Sequence, residues 1–357
     1  MSKPAPQRDR QAQGDEDPAA LAAAADLVYV SDETPGISRI RRGRGYSFYR
    51  PDGELVTDQA ERERLKTLAV PPAWEAVWIC ALPNGHLQAT GRDARQRKQY
   101  IYHQRWVTLR QKVNFERMVA FGEALPAIRA GVDRDLQRRG LPRERVLALV
   151  VEVLENTLIR IGNPRSAREN RTFGLTTLRN RHIELRGDRI HFAFRGKSGI
   201  EREIDVRDAR CARALRRCQQ LPGQRLFQYL DEDGARREVD SRDVNAYLKE
   251  LAEGDFTAKD FRTWGGTLQA LEFLLAQSPA DDQQARHRQS VAALRHAAEH
   301  LGNTLAVCRR HYVHPGLIEA WESGRLGDLV RPAMDAAART YLDESERRLL
   351  GLLRRVR

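Results

Sequence analysis

The chain has 357 residues, 41% of them hydrophobic, enough to build cores in about two domains at roughly 100–200 residues each. Lysine and arginine total 61 against 49 aspartate and glutamate, and the resulting net charge of +12 favours a polyanionic partner. No run reaches the ~18 apolar residues of a membrane span, no secretory leader is legible, and the four scattered cysteines (Cys80, Cys211, Cys218, Cys308) include no Cys-x-x-Cys pair, so a zinc ribbon or a disulfide framework is unsupported and reduced thiols in a cytoplasmic protein are expected.

Residues 1–26, rich in Pro, Gln, Ala, Asp and Arg, read as a disordered tail. Residues 27–110 read as a small β-rich domain. Arg39–Arg42 and Tyr46–Tyr49 flank Gly43-Arg44-Gly45, a hairpin signal. Ala76–Ala81 and His86–Thr90 flank Pro83-Asn84-Gly85, a second one. Residues 111–357 read as a larger, mainly helical catalytic domain. Lys112–Arg139 and Arg143–Ile159 carry apolar residues at helical spacing. Arg181–Leu185, Ile190–Phe194 and Glu201–Val206 suggest an embedded three-stranded meander, with turns at Gly187-Asp188 and Gly196-Lys197-Ser198-Gly199. Helices are expected at roughly 208–219, 241–252, 259–276, 281–301 and 304–322. The fold class is α+β.

Four side chains suit phosphodiester chemistry. A tyrosine hydroxyl has a pKa of about 10 and needs cationic neighbours to act as a nucleophile. Tyr312 follows Arg309 and Arg310. Arg160 ends an apolar helix and precedes Ile-Gly-Asn-Pro, so it can reach a groove. Arg262 lies among Phe261, Trp264, Leu268 and Leu271, where a charge needs a partner. An ion pair with Asp260 or another acid is the ordinary reading there. Lys197 sits in a turn between strands, from which it can donate a proton to a leaving alkoxide. Singly, each of the four has a commonplace explanation. Gly196-Lys197-Ser198 matches only the end of a phosphate-binding loop, because His191 stands where its first glycine belongs.

The four together, with their flanks, resemble the type IB DNA topoisomerases, especially the compact poxvirus and bacterial branch, over about residues 27–325. The densest match is Leu158–Asn163 followed by Ala167–Leu178; the others are Lys259–Trp264 and Leu301–Thr304, ending at Tyr312. The resemblance implies relaxation of supercoiled double-stranded DNA through a 3′-phosphotyrosyl bond, strand rotation and religation. Tyr312 would be the nucleophile. Arg160 and Arg262 would hold the non-bridging oxygens, and Lys197 would be the general acid. Asn303 stands where the family usually has histidine, and its amide can also donate a hydrogen bond. No cofactor, ATP or metal is implied. The partner would be duplex DNA, held by a monomer closing as a clamp, in a nucleoid-associated cytoplasmic protein.

In the amino-terminal part, Gly91–Tyr100 combines cations, amides and an aromatic, and Arg97, Gln99 and Tyr100 are candidates for DNA contact. Asn163 and Arg168 are further candidates. The main alternative is a site-specific tyrosine recombinase, which shares the chemistry. Its usual His-x-x-Arg pattern is Lys259-x-x-Arg262 here. A plain DNA-binding protein would leave four reactive side chains without a use. His296-Ala297-Ala298-Glu299-His300 matches a short zinc-peptidase pattern but lacks an evident third ligand.

Overall fold

The structure, a computed structural model, describes residues 17–43, 45–330 and 338–356. It divides into two units, Met1–Asn114 and Phe115–Arg357.

The first unit opens with α1 (Pro18–Ala24). Asp17 caps it by accepting from the Ala19 amide at 3.0 Å, and Pro18 at the first helical position lacks an N–H that would go unused. Leu21 and Ala22 bury against Leu27 and Trp106. The tail expected over residues 1–26 is therefore helical in its final part, because two apolar side chains find a core. Its first 16 residues lie outside the described ones.

Strands β1 (Ile37–Arg42), β2 (Gly45–Tyr49), β3 (Glu75–Ile79), β4 (Leu87–Arg92) and β5 (Lys98–Tyr102) form an antiparallel sheet in the order β2-β1-β3-β4-β5. Both expected hairpins are present; Arg44, in the first turn, lies outside the described residues. Helix α2 (Gln59–Thr67), capped by Asp58, sends Leu65 into the core of Ile37, Val56, Val77, Ile79 and Ala89.

The division between the units falls within α3 (Gln104–Leu136). The second unit is built around α4 (Arg143–Thr157), in which Val146–Val151, Val153 and Leu154 are all buried. A helix apolar on nearly every side belongs at the centre of a bundle. After α5 (Pro164–Glu169) comes an antiparallel meander of β6 (Ile183–Arg186), β7 (Arg189–Arg195) and β8 (Glu201–Arg207). Helix α6 (Ala209–Gln219) follows, then a small hairpin of β9 (Gln228–Leu230) and β10 (Arg236–Glu238), which the sequence did not signal. Next come α7 (Ser241–Ala252), α8 (Ala258–Leu275) and α9 (Gln283–Leu301).

The helix expected over 304–322 is two helices, α10 (Leu305–His311) and α11 (Pro315–Glu322). Pro315 disfavours helical backbone at His314, so the chain breaks there. The His314 ring then caps α11 by accepting from the Gly316 amide at 3.1 Å. Tyr312 therefore ends a helix instead of lying inside one.

A final helix, Glu344–Leu353, docks through a buried charge network. Arg129 pairs with Glu346 at 2.6 Å and with Glu155 at 2.5 Å. Glu346 is 3% exposed and also accepts from the Trp264 indole at 3.3 Å. Replacing Glu346 with Ala leaves Arg129 short of a partner in a mostly buried setting, and the expected cost is about 3–5 kcal/mol. Urea denaturation measures it; a loss under about 1 kcal/mol would show that apolar packing alone docks this helix.

Candidate active site

Helix α4 stops at Leu158, which adopts the left-handed conformation (φ 51°) and turns the chain out of the helix axis. The next residues form a loop pinned from beneath. The Leu175 amide donates to the Arg160 carbonyl at 2.9 Å, and the Thr176 amide to the Ile161 carbonyl at 2.8 Å. Gly174 lets these backbones meet, since a Cβ there would stand 2.3 Å from the Arg160 carbonyl oxygen. The Phe173 amide reaches the Arg195 carbonyl at 2.8 Å, joining this floor to the end of β7. The dense run Ala167–Leu178 thus supplies the backbone that holds Arg160.

Arg262 comes from the first half of α8 and is 3% exposed. Its expected partner, Asp260, is engaged elsewhere, accepting from the Thr257 amide at 2.8 Å in a capping box. Arg262 instead donates to the Leu158 carbonyl and, at 3.0 Å, to the Leu301 carbonyl. Both carbonyls are at helix ends, where acceptors lack intrahelical donors. Arg160, half-buried, donates to the Gly302 carbonyl at 3.3 Å and to the Asn303 side-chain oxygen. Among the described residues neither guanidinium has a carboxylate partner.

Helix α9 closes at Gly302 (φ 58°), and the Asn303 amide N–H returns to the Ala298 carbonyl at 2.9 Å. With Asn303 Oδ1 on Arg160, its Nδ2 is left buried without a partner among the described residues, as is Arg262 Nε. Reversing the amide would set an N–H₂ against a guanidinium, so the orientation is fixed by charge. Two buried donors without acceptors are costly unless an acceptor arrives. A phosphate oxygen meets that need.

Tyr312 packs against this group. The Arg262 guanidinium lies 5.1 Å from its ring centre. Its carbonyl lies 3.1 Å from the Thr267 hydroxyl, which also accepts from the His314 amide at 3.1 Å. Burial is the largest influence on the phenol and opposes ionisation. The charges of Arg262, Arg160 and Lys259 together outweigh it, so the Tyr312 pKa falls below its ordinary value of 10.0. Burial pushes the Arg262 pKa down to about 10, so it remains a cation near neutrality.

Lys197 is exposed, in the tight turn between β7 and β8. It lines one cleft with Arg160, Arg262, Phe173 and Leu301. Burial, followed by the charges of Arg310, Lys259 and Lys197, depresses the pKa of His311, the residue preceding Tyr312. Arg202 lines the same cleft and was missed. Its signal lay in the strand alternation of β8: Arg202 shares the less exposed face with Ile204 and Val206.

Asn163 and Arg168, in the second unit, do not line this cleft. Asn163 caps α5, accepting from the Arg165 amide at 2.8 Å, and Arg168 is exposed on that helix. In the first unit Arg97 and Gln99 both bind Asp93, at 2.7 and 2.9 Å. Tyr100 is 43% exposed and stacks on Tyr102. His296 and His300 have ring centres 4.4 Å apart, but His300 Nδ1 lies 3.1 Å from the His296 carbonyl. No third ligand joins them among the described residues. Glu152, Asp208 and Cys211 do cluster, yet Asp208 caps α6 and Glu152 pairs with Arg210 at 2.9 Å.

Comparison with known proteins identifies the family. The family model of the eukaryotic DNA topoisomerase I catalytic core matches residues 103–322, and that of the bacterial DNA topoisomerase IB N-terminal domain matches residues 45–93. DNA topoisomerase 1B of Acanthamoeba polyphaga mimivirus is 31% identical over 295 residues, covering 81% of this chain and 88% of that protein. DNA topoisomerase 1B of vaccinia virus (strain Copenhagen) is 24% identical over 303 residues, 79% of this chain and 92% of that protein. The chain belongs to the type IB DNA topoisomerases. Within them it is of the compact poxvirus and bacterial kind.

The electrostatics give a spectroscopic expectation. In a pH titration of tyrosine absorbance, subtracting Tyr312→Phe from the wild type should isolate a phenol ionising below 10.0. Arg262→Ala should move it upward, because a lost cation disfavours the phenolate. A Tyr312 that titrates above the ordinary range in the wild type would mean that burial, not the arginines, controls it.

Proposed function

We propose that this protein relaxes supercoiled double-stranded DNA by cutting one strand, letting it rotate and resealing it. Tyr312 Oη attacks a backbone phosphorus. The P–Oη bond forms as the P–O5′ bond breaks. The phenol proton passes to solvent, and the Lys197 ammonium protonates the departing 5′ oxygen. The products are a 3′-phosphotyrosine and a free 5′-hydroxyl. Religation is the reverse: the 5′-hydroxyl returns its proton to Lys197 and displaces Tyr312. One phosphoester replaces another at each step, so no ATP is consumed. Arg160 and Arg262 neutralise charge on the non-bridging oxygens, the task a metal performs in other phosphoryl-transfer sites. Asn303 adds its Nδ2 donor to one of those oxygens.

The supporting observation is a partly buried phenol set against two arginines that have no carboxylate partner among the described residues. Arg97, Gln99 and Tyr100 are assigned to DNA contact from the first unit, and Asn163 and Arg168 from the second. We further infer a monomer, since the chemistry needs one tyrosine, whose two domains, residues 27–110 and 111–357, close on the duplex as a clamp. A nucleoid location follows from that substrate.

Negatively supercoiled plasmid, incubated with EDTA and without ATP, should give a ladder of relaxed topoisomers, and Tyr312→Phe should give none. Intact duplex binding without relaxation would favour a site-specific tyrosine recombinase. Asn303→His should retain activity because the imidazole also donates. Asn303→Leu removes a donor and should slow cleavage about 10²–10³-fold. Wild-type rates in Asn303→Leu would remove Asn303 from the site.

A further inference from the structure

The tip that carries Lys197 is shaped by its own backbone. The Gly196 amide donates to the Ile200 carbonyl at 2.7 Å and the Gly199 amide to the Gly196 carbonyl at 3.1 Å, with Ser198 at φ 64°. These bonds fix the form of the turn but not its position relative to α9 and the arginines. A general acid must lie within hydrogen-bond reach of its target, so that position matters to the rate.

Arg202 supplies a tie. It stands on β8 opposite Phe194, at the base of the turn. Its Cγ lies 3.2 Å from where a Cβ would stand on Gly196, the residue before Lys197. Its guanidinium leaves the hairpin and reaches the end of α9. Nη1 donates to the Glu299 carbonyl at 3.0 Å and Nη2 to the His300 carbonyl at 2.7 Å. Both acceptors belong to the last turn of the helix, where the helix dipole favours a cation; the Glu299 carbonyl also accepts from the Gly302 amide at 3.1 Å. The same guanidinium rests on Gly302, where a Cβ would stand 2.4 Å from Nη1. The Gly302 carbonyl and the Asn303 side chain are in turn the acceptors for Arg160. One side chain thus touches the residue beside Lys197 and the residue beside Asn303.

We propose that Arg202 is a positioning residue that ties the Lys197 hairpin to the C-terminal end of α9, and so sets the proton donor relative to Arg160 and Asn303. Both of its terminal nitrogens are committed to carbonyls of α9. The inference rests on the general-acid reading of Lys197. Lysine at this position would lack the fork that spans two successive carbonyls.

The test uses the full-length protein and single-turnover cleavage of two DNA duplexes. One has the normal 5′ leaving oxygen. The other has sulfur in its place, a leaving atom that needs no proton. Arg202→Ala should cleave the oxygen substrate about 100-fold more slowly than wild type, as a misplaced donor would. It should cleave the sulfur substrate at close to the wild-type rate. Lys197→Ala should show the same pattern, and the double variant should be no slower on oxygen than Lys197→Ala alone. Arg202→Lys should recover only part of the oxygen rate. The sulfur-to-oxygen ratio is taken within one preparation, so a misfolded fraction cancels. Equal slowing of Arg202→Ala on both substrates, with Lys197→Ala rescued by sulfur, would overturn the inference while sparing Lys197. Failure of sulfur to rescue Lys197→Ala would overturn the general-acid reading, and this inference with it.

Discussion

Burying a guanidinium removes its hydration, and proteins usually offset that cost with a carboxylate. At this site they do not. Arg262 is 3% exposed and meets two backbone carbonyls; Arg160 meets a carbonyl and an amide oxygen. Arg202 meets two more carbonyls. The neutral acceptors come from helix ends, where carbonyls are free to accept. They satisfy geometry without cancelling charge. A carboxylate here would satisfy the arginines more fully and would also repel a phosphate. The positions of α4 and α9 are constrained by this requirement, because both ends must present their carbonyls to the same small volume, into which α8 sends Arg262.

The consequence for Tyr312 is a contest between two effects of burial. Removing water raises the cost of a phenolate, while the same low-dielectric setting strengthens the pull of the arginines. The net direction is toward ionisation. The break between α10 and α11 matters here. It places Tyr312 at a helix end, with its carbonyl against Thr267, and its ring beside Arg262.

The first unit handles its cations differently. Arg97 and Gln99 share Asp93, and Lys98 pairs with Asp32 at 2.6 Å. The Arg97 ion pair is the main influence that holds the Asp93 pKa at about 2. Exposed pairs of this type contribute little to stability and exchange readily with other partners. Charge balanced by acids suits a surface that positions a polyanion, whereas charge left unbalanced suits a site that stabilises one during reaction.

The sequence alone determined the fold class and marked the family. Turn residues and strand alternation marked both hairpins of the first unit and the meander of the second, because those signals are local. The resemblance to the type IB topoisomerases pointed to Tyr312, Arg160, Arg262, Lys197 and Asn303. What it missed depended on contacts distant in the chain. The helix Pro18–Ala24 needs Trp106 to bury it, and the composition of residues 1–26 hides that. The partner of Arg262 was sought in the neighbouring Asp260, but that carboxylate caps its own helix and the true acceptors lie 104 and 39 residues away. Arg202 carried only a faint mark in its strand register. The tertiary structure alone decided which carbonyls face which guanidiniums, because a free carbonyl at a helix end is a property of how the chain stops and not of the residue that carries it.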